Sequence, residues 1–224
     1  MSRVHFLHIG KSGGTAIKHA LGEFPIVKSG ELLLHPHVTK LENVPIGEKV
    51  FFFLRNPLSR FYSGFYSRQR KGAPRYNFEW TESEARAFNL FRTPEDLLAA
   101  VCTSNDEVIK ANAIKALSSI KHVKDHYNYW FKSIEYLEER SNDIIHIGFQ
   151  ESLANDFGII CSKLKVACPP ELPASDINAH RNPKYVVRNL TRDEREFFRC
   201  WYSVDYEIYD YCVNRMKKEV YYGV

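Results

Sequence analysis

An apolar run near the N-terminus, Val4 to Ile9, gives way to Gly10-Lys11-Ser12-Gly13-Gly14-Thr15, after which Ile17, Ala20 and Leu21 fall at helical spacing. A glycine turn between a strand and a helix lets backbone N–H groups at the helix start converge on an anion, because no side chain blocks their approach. Lys11 adds a cation to that turn, and Thr15 adds a hydroxyl. Phosphate or sulfate is the ligand such a turn would hold. The competing reading of the glycines is a tight turn that needs positive φ.

A second junction has the same form. Val50 to Leu54 is continuously apolar, as suits a strand buried on both faces of a parallel sheet, and it stops at Arg55. Asn56 and Pro57 can open a helix there, with Leu58, Phe61, Tyr62, Phe65 and Tyr66 forming an inward stripe and Arg60, Ser63 and Ser67 on another face. From Arg55 to Phe78 the chain carries Arg55, Arg60, Arg68, Arg70, Lys71 and Arg75 and no acid. Either an anionic ligand or a solvated basic face accounts for that run. Between the two junctions stands His35-Pro36-His37. Histidine titrates near neutrality and can take a proton from a weakly acidic hydroxyl. If that segment is extended, alternation places both rings on one side.

The turn differs from the nucleotide-kinase loop G-x-x-x-x-G-K-[ST], in which lysine follows the glycines, although Glu151 after a later strand could serve such a site as a metal carboxylate. GKSGGTAI instead resembles the 5′-phosphosulfate loop of sulfotransferases that use 3′-phosphoadenosine 5′-phosphosulfate. FLRNPLSRFYSGFY is similar to their 3′-phosphate motif, R-[DN]-P-x-x-R-x-x-S-x-x-Y. HPHVTKLENV resembles the H-x-H-V segment of the heparan sulfate 2-O-sulfotransferases. The chain departs from the family pattern at Gly10, where proline is usual, at Asn56, where aspartate is usual, and at Ala16, where a hydroxyl is common.

The resemblance implies a P-loop-like α/β fold and transfer of a sulfuryl group to a hydroxyl. Ser12, Gly13, Gly14 and Thr15 would hold the 5′-phosphate, and Lys11 would stabilise the leaving oxygen. Arg55 and Ser63 would grip the 3′-phosphate. Arg60 would assist them or pair with a surface acid. His37 would be the general base, with His35 second. The acceptor would be a saccharide, and an acidic one would suit Arg68, Arg70, Lys71, Arg75, Tyr76 and Trp80. His180 and Arg181 would close over the adenosine. Neither a metal nor a nucleic-acid partner is expected. The alternatives are a nucleotide-dependent kinase and a non-enzymatic module that binds acidic glycan or nucleic acid through the basic run.

Length and composition set the frame for these groups. A chain of 224 residues with 44% apolar content fits one domain, here 1–224. No run reaches the roughly 20 apolar residues of a membrane helix, and the N-terminus reads as structure rather than as a signal peptide, so a cytoplasmic protein is the expectation. Five cysteines at spacings unlike any zinc pattern read as buried thiols. Helices are expected from Thr93, over Val108–Leu117 and over Tyr127–Leu137, with a further strand at Ile144–Phe149 and a helix carrying Leu153, Phe157, Ile160, Cys161 and Leu164. A proline-rich loop is expected from Cys168 to Pro183, then a long C-terminal helical stretch opened by a capping box of Thr191 and Glu194. Strands alternating with helices predict a single domain with a mostly parallel central sheet flanked by helices.

Overall fold

The computed structural model describes residues 3–166, 171–175, 177 and 189–222. Most of the expected proline-rich loop, with His180 and Arg181, lies outside the described residues. The chain order is β1 (Val4–Leu7), α1 (Gly14–Leu21), α2 (Pro25–Lys28), β2 (Leu32–Leu34), β3 (Lys49–Leu54), α3 (Pro57–Gln69), α4 (Glu82–Leu90), α5 (Pro94–Thr103), α6 (Glu107–Leu117), α7 (Asn128–Phe131), α8 (Ile134–Glu139), β4 (Ile144–Phe149), α9 (Leu153–Lys163), α10 (Arg192–Trp201) and α11 (Ser203–Tyr222). The protein is α/β, with an all-parallel four-stranded sheet in the order β2-β1-β3-β4. Among the described residues no helix is long and apolar enough to cross a membrane.

The chain forms two compact units. The first comprises Met1–Asn56, Tyr127–His180 and Val204–Val224, and the second Pro57–His126 and Arg181–Ser203. The first unit contains the sheet. Because side chains alternate along each strand, the sheet has two apolar faces. Leu7, Val50, Phe52, Leu54 and Ile147 pack on one face with Tyr127, Trp130, Phe131, Leu137, Ile208 and Cys212. Phe6, Phe51 and Phe53 pack on the other with Ile17, Ala20 and Leu21 of α1 and Phe157, Ile160 and Cys161 of α9. Burial on both faces is the reason Val50–Leu54 reads as an unbroken apolar run.

The stretch expected as one helix over Tyr127–Leu137 is two short ones. Lys132 takes a positive φ of 61° and stops α7, and the Ser133 hydroxyl then accepts the Tyr136 N–H to start α8. The C-terminal helical stretch likewise divides at Tyr202, after beginning at the expected capping box.

In the second unit, α3 is buried beyond its apolar stripe. Arg60, Ser63 and Ser67 are all buried, and the Arg60 guanidinium donates to the Asp125 carbonyl at 2.6 Å. Arg68 is also consumed internally. Its fork holds both Glu84 oxygens at 2.7 and 2.6 Å, and it donates to the carbonyls of Phe78 and Glu79. Burial pushes the Glu84 carboxyl up, but Arg68 and the N–H groups of Thr81 and Lys121 outweigh this and hold it down to about 2. Trp80 donates its indole N–H to the Arg68 carbonyl, and Lys71 pairs with Glu79. Much of the basic run therefore organises its own loop.

His146 in β4 is 2% exposed, and neither ring nitrogen has a hydrogen-bond partner among the described residues. Burial, with Lys163 adding to it, holds its imidazole down to about 4 from 6.5. The folded state thus refuses a proton that the unfolded chain accepts. The associated stability is complete above pH 6.5 and is lost as pH falls toward 4, by about 3 kcal/mol over that interval. His146→Leu should remove this loss. Urea unfolding at pH 7 and pH 4 should show the variant gaining on wild type as pH falls, whereas a constant difference between them would contradict the assignment.

Candidate functional site

In a parallel sheet every strand delivers its C-terminal end to the same edge. The chain turns one way after β1, toward β2, and the other way after β3, toward β4, so the carboxyl ends of β1 and β3 flank a topological switch point. Ligands of open α/β sheets bind in such crevices. The pairing of Leu7 with Phe52 sets the turn after β1 beside the residues after β3, and His35 follows β2 on the other side of β1. Lys11–Thr15, His35, His37 and Arg55 thus lie along one edge of the first unit. Ser63 belongs to the second unit, where it is buried in α3.

The turn itself is built on positive φ at Lys11, 67°, and at Gly13, 84°. Gly13 stands at the N-terminal cap of α1 with no side-chain cap, and its carbonyl accepts the N–H groups of Ala16 and Ile17. Among the described residues the amides of Ser12, Gly13, Gly14 and Thr15 donate to no other backbone group. The Ser12 hydroxyl is likewise without a hydrogen-bond partner, in a side chain that is only 1% exposed. Gly14 has a separate steric reason to be glycine: a Cβ there would stand 2.1 Å from Cδ2 of His8.

The histidines form two pairs. His37 lies on His8, with ring centroids 3.7 Å apart, and its Nδ1 is 3.1 Å from the His8 carbonyl. A carbonyl only accepts, so Nδ1 of His37 carries a proton and, in the neutral form, the lone pair is at Nε2. The Trp130 indole N–H fixes the His37 carbonyl at 2.7 Å.

His35 stacks instead on His5, at 5.0 Å, and its Nε2 is 2.8 Å from His5 Nδ1. Nε2–H of His5 donates to the Glu48 carboxylate, and His5 Nδ1 and His35 Nε2 share one proton between them. Lys18 of α1 donates to the His35 carbonyl at 3.0 Å. A turn in which Thr39 N–H reaches the Pro36 carbonyl ends the extended segment, and the two rings of His35-Pro36-His37 go to separate partners rather than to one shared face. Burial, then His5, then Lys18 hold the His35 imidazole below its ordinary value.

Arg55 is held at its backbone by Tyr127, whose buried phenol accepts the Arg55 N–H at 3.0 Å and donates to the Arg55 carbonyl. The next amide, that of Asn56, donates to the Glu151 carboxylate at 2.8 Å. Glu151 thus anchors the chain after β3. Among the described residues no three His, Cys, Asp or Glu side chains converge as a metal site.

Sequence reasoning missed Tyr127, His8, His5 and Glu48. A tyrosine or histidine inside an apolar run carries no local signal of the backbone group it will meet after folding.

No protein-family model matches this chain, and no curated protein matches it.

Removing the Tyr127 hydroxyl takes away its two hydrogen bonds to the N–H and carbonyl of Arg55. Two such bonds contribute about 1–3 kcal/mol together. Tyr127→Phe should lower stability in chemical denaturation by that amount while β3 keeps its place, and an unchanged midpoint would show that water replaces the phenol.

Proposed function

We propose that the protein is a sulfotransferase that moves a sulfuryl group from 3′-phosphoadenosine 5′-phosphosulfate to a hydroxyl of a saccharide acceptor, on a P-loop-like α/β scaffold. The observation that carries this reading is the turn after β1. Among the described residues its four successive amides, from Ser12 to Thr15, donate to no other backbone group and its buried serine hydroxyl has no hydrogen-bond partner, and a lysine stands in the same loop. Such a concavity at a helix start fits a tetrahedral anion.

In the proposed reaction Ser12, Gly13, Gly14 and Thr15 bind the 5′-phosphate through their amides and hydroxyls. Arg55, one residue beyond β3, supplies a planar fork suited to the 3′-phosphate. The acceptor oxygen forms a bond to sulfur as the bond from sulfur to the phosphate oxygen breaks. The transition state is loose, so positioning and charge stabilisation do most of the work. Lys11 stabilises the negative charge on the departing oxygen, which leaves as part of adenosine 3′,5′-bisphosphate. The acceptor's proton passes to Nε2 of His37, the nitrogen left with the lone pair when Nδ1–H bonds the His8 carbonyl. His35, bonded to His5, is the second candidate base.

Calorimetry with adenosine 3′,5′-bisphosphate and with 5′-AMP tests the reading without knowledge of the acceptor. Charge-assisted bonds to the 3′-phosphate are worth about 1.5–3 kcal/mol, so the bisphosphate should bind about 10- to 100-fold more tightly. Equal affinities would overturn the reading, and magnesium-dependent ATP binding in their place would point to phosphoryl transfer.

A further inference from the structure

His8 is outside the loop residues that resemble the donor motif, yet the loop and the His37 segment are both packed around it. Its ring is 6% exposed and stacks with Phe6 at 6.0 Å. The ring also passes so close to Gly14 that only a residue without a Cβ admits it. Its carbonyl faces Nδ1 of His37 at 3.1 Å, and its ring centroid is 3.7 Å from that of His37. One residue therefore contacts His37 twice, once as a hydrogen-bond acceptor and once as a packing surface.

From this double contact, and resting on the proposed role of His37 as general base, we infer that His8 is a positioning residue: it selects the Nδ1–H tautomer of His37 and sets the plane of its ring, so that Nε2 is the nitrogen that accepts the proton. A side chain held near one atom still samples several rotamers, and the His8 ring narrows that range by giving the His37 ring a face to lie on. Gly14 is then required twice over, as part of the anion loop and as the space into which His8 fits.

Charge supports the division of labour. Burial holds the His8 imidazole well below the ordinary histidine range, and His37, Lys18 and Lys11 push in the same direction. The His8 ring is thereby kept from competing for the acceptor's proton. The balance is simple: the acceptor O–H loses its proton to Nε2 of His37, and Nδ1–H keeps its bond to the His8 carbonyl throughout.

The test is a long-range proton–nitrogen correlation spectrum of the imidazoles in the full chain, with the His37 signals identified by their loss in His37→Gln. Wild type should show His37 as the Nδ1–H tautomer. His8→Ala should lose that selection, while His8→Phe, which keeps a flat ring against His37, should retain it. Gly14→Ala, whose added Cβ displaces the His8 ring, should reproduce the loss and serves if His8→Ala does not fold. Affinity for adenosine 3′,5′-bisphosphate should be unchanged in His8→Ala, and the pH profile of transfer should move. An Nε2–H tautomer in wild type, or a His37 spectrum indifferent to His8→Ala, overturns the inference. Failure of the donor reading would appear separately, as equal binding of the bisphosphate and 5′-AMP by wild type.

Discussion

A hydroxyl taken out of water needs a partner, and among the described residues the buried Ser12 hydroxyl after β1 has none, while the amides from Ser12 to Thr15 donate to no other backbone group. That deficit is the constraint around which the edge of the first unit is organised. Lys11 and Gly13 take positive φ in this turn, and α1 begins there uncapped by any side chain. Capping that helix with a protein group would satisfy it and would close the proposed anion site. A tetrahedral oxyanion supplies several acceptors at once, which no single side chain can.

The parallel sheet turns this local feature into a site. Its strands are sealed by apolar side chains on both faces, so polar groups collect at the edge where the strands end. Adjacent strands then place a loop from β1, an arginine from after β3 and two histidines from after β2 along one line. The arginine and the two histidines are held by partners from elsewhere in the first unit. Tyr127 holds the Arg55 backbone, Trp130 holds the His37 carbonyl, and Glu48 holds His35 through His5. Groups held in place in this way would have less freedom to lose in the proposed transfer.

The strands β1, β3 and β4 and most of the helices were legible because long apolar runs and helical stripes reflect burial directly. Edge strand β2 was not, since three leucines after a short helix carry no periodicity. Helix α4 was passed over although Thr81 and Glu84 form a capping box of the same kind as that recognised at Thr191. The break at Lys132 was hidden because a positive φ at lysine has no sequence signature. The glycine turn and the residues after Val50–Leu54 could be read as candidates because both follow strand ends. What could not be read were contacts made across the fold. The buried ion pair of Arg68 with Glu84 turned a residue that looked available to a saccharide into a structural one, and His8 and Tyr127 acquired their roles only once the strands had brought distant backbone groups to them.

The claim at the centre of this account is that the turn from Ser12 to Thr15 receives an anionic group of an adenine nucleotide. Amide chemical shifts measured during titration with adenosine 3′,5′-bisphosphate address it most directly. The account predicts that the largest shifts fall on Ser12, Gly13, Gly14 and Thr15, with adenosine alone leaving these four amides in place. Perturbations that spare these amides and gather instead in the basic segment from Arg68 to Arg75 would contradict it.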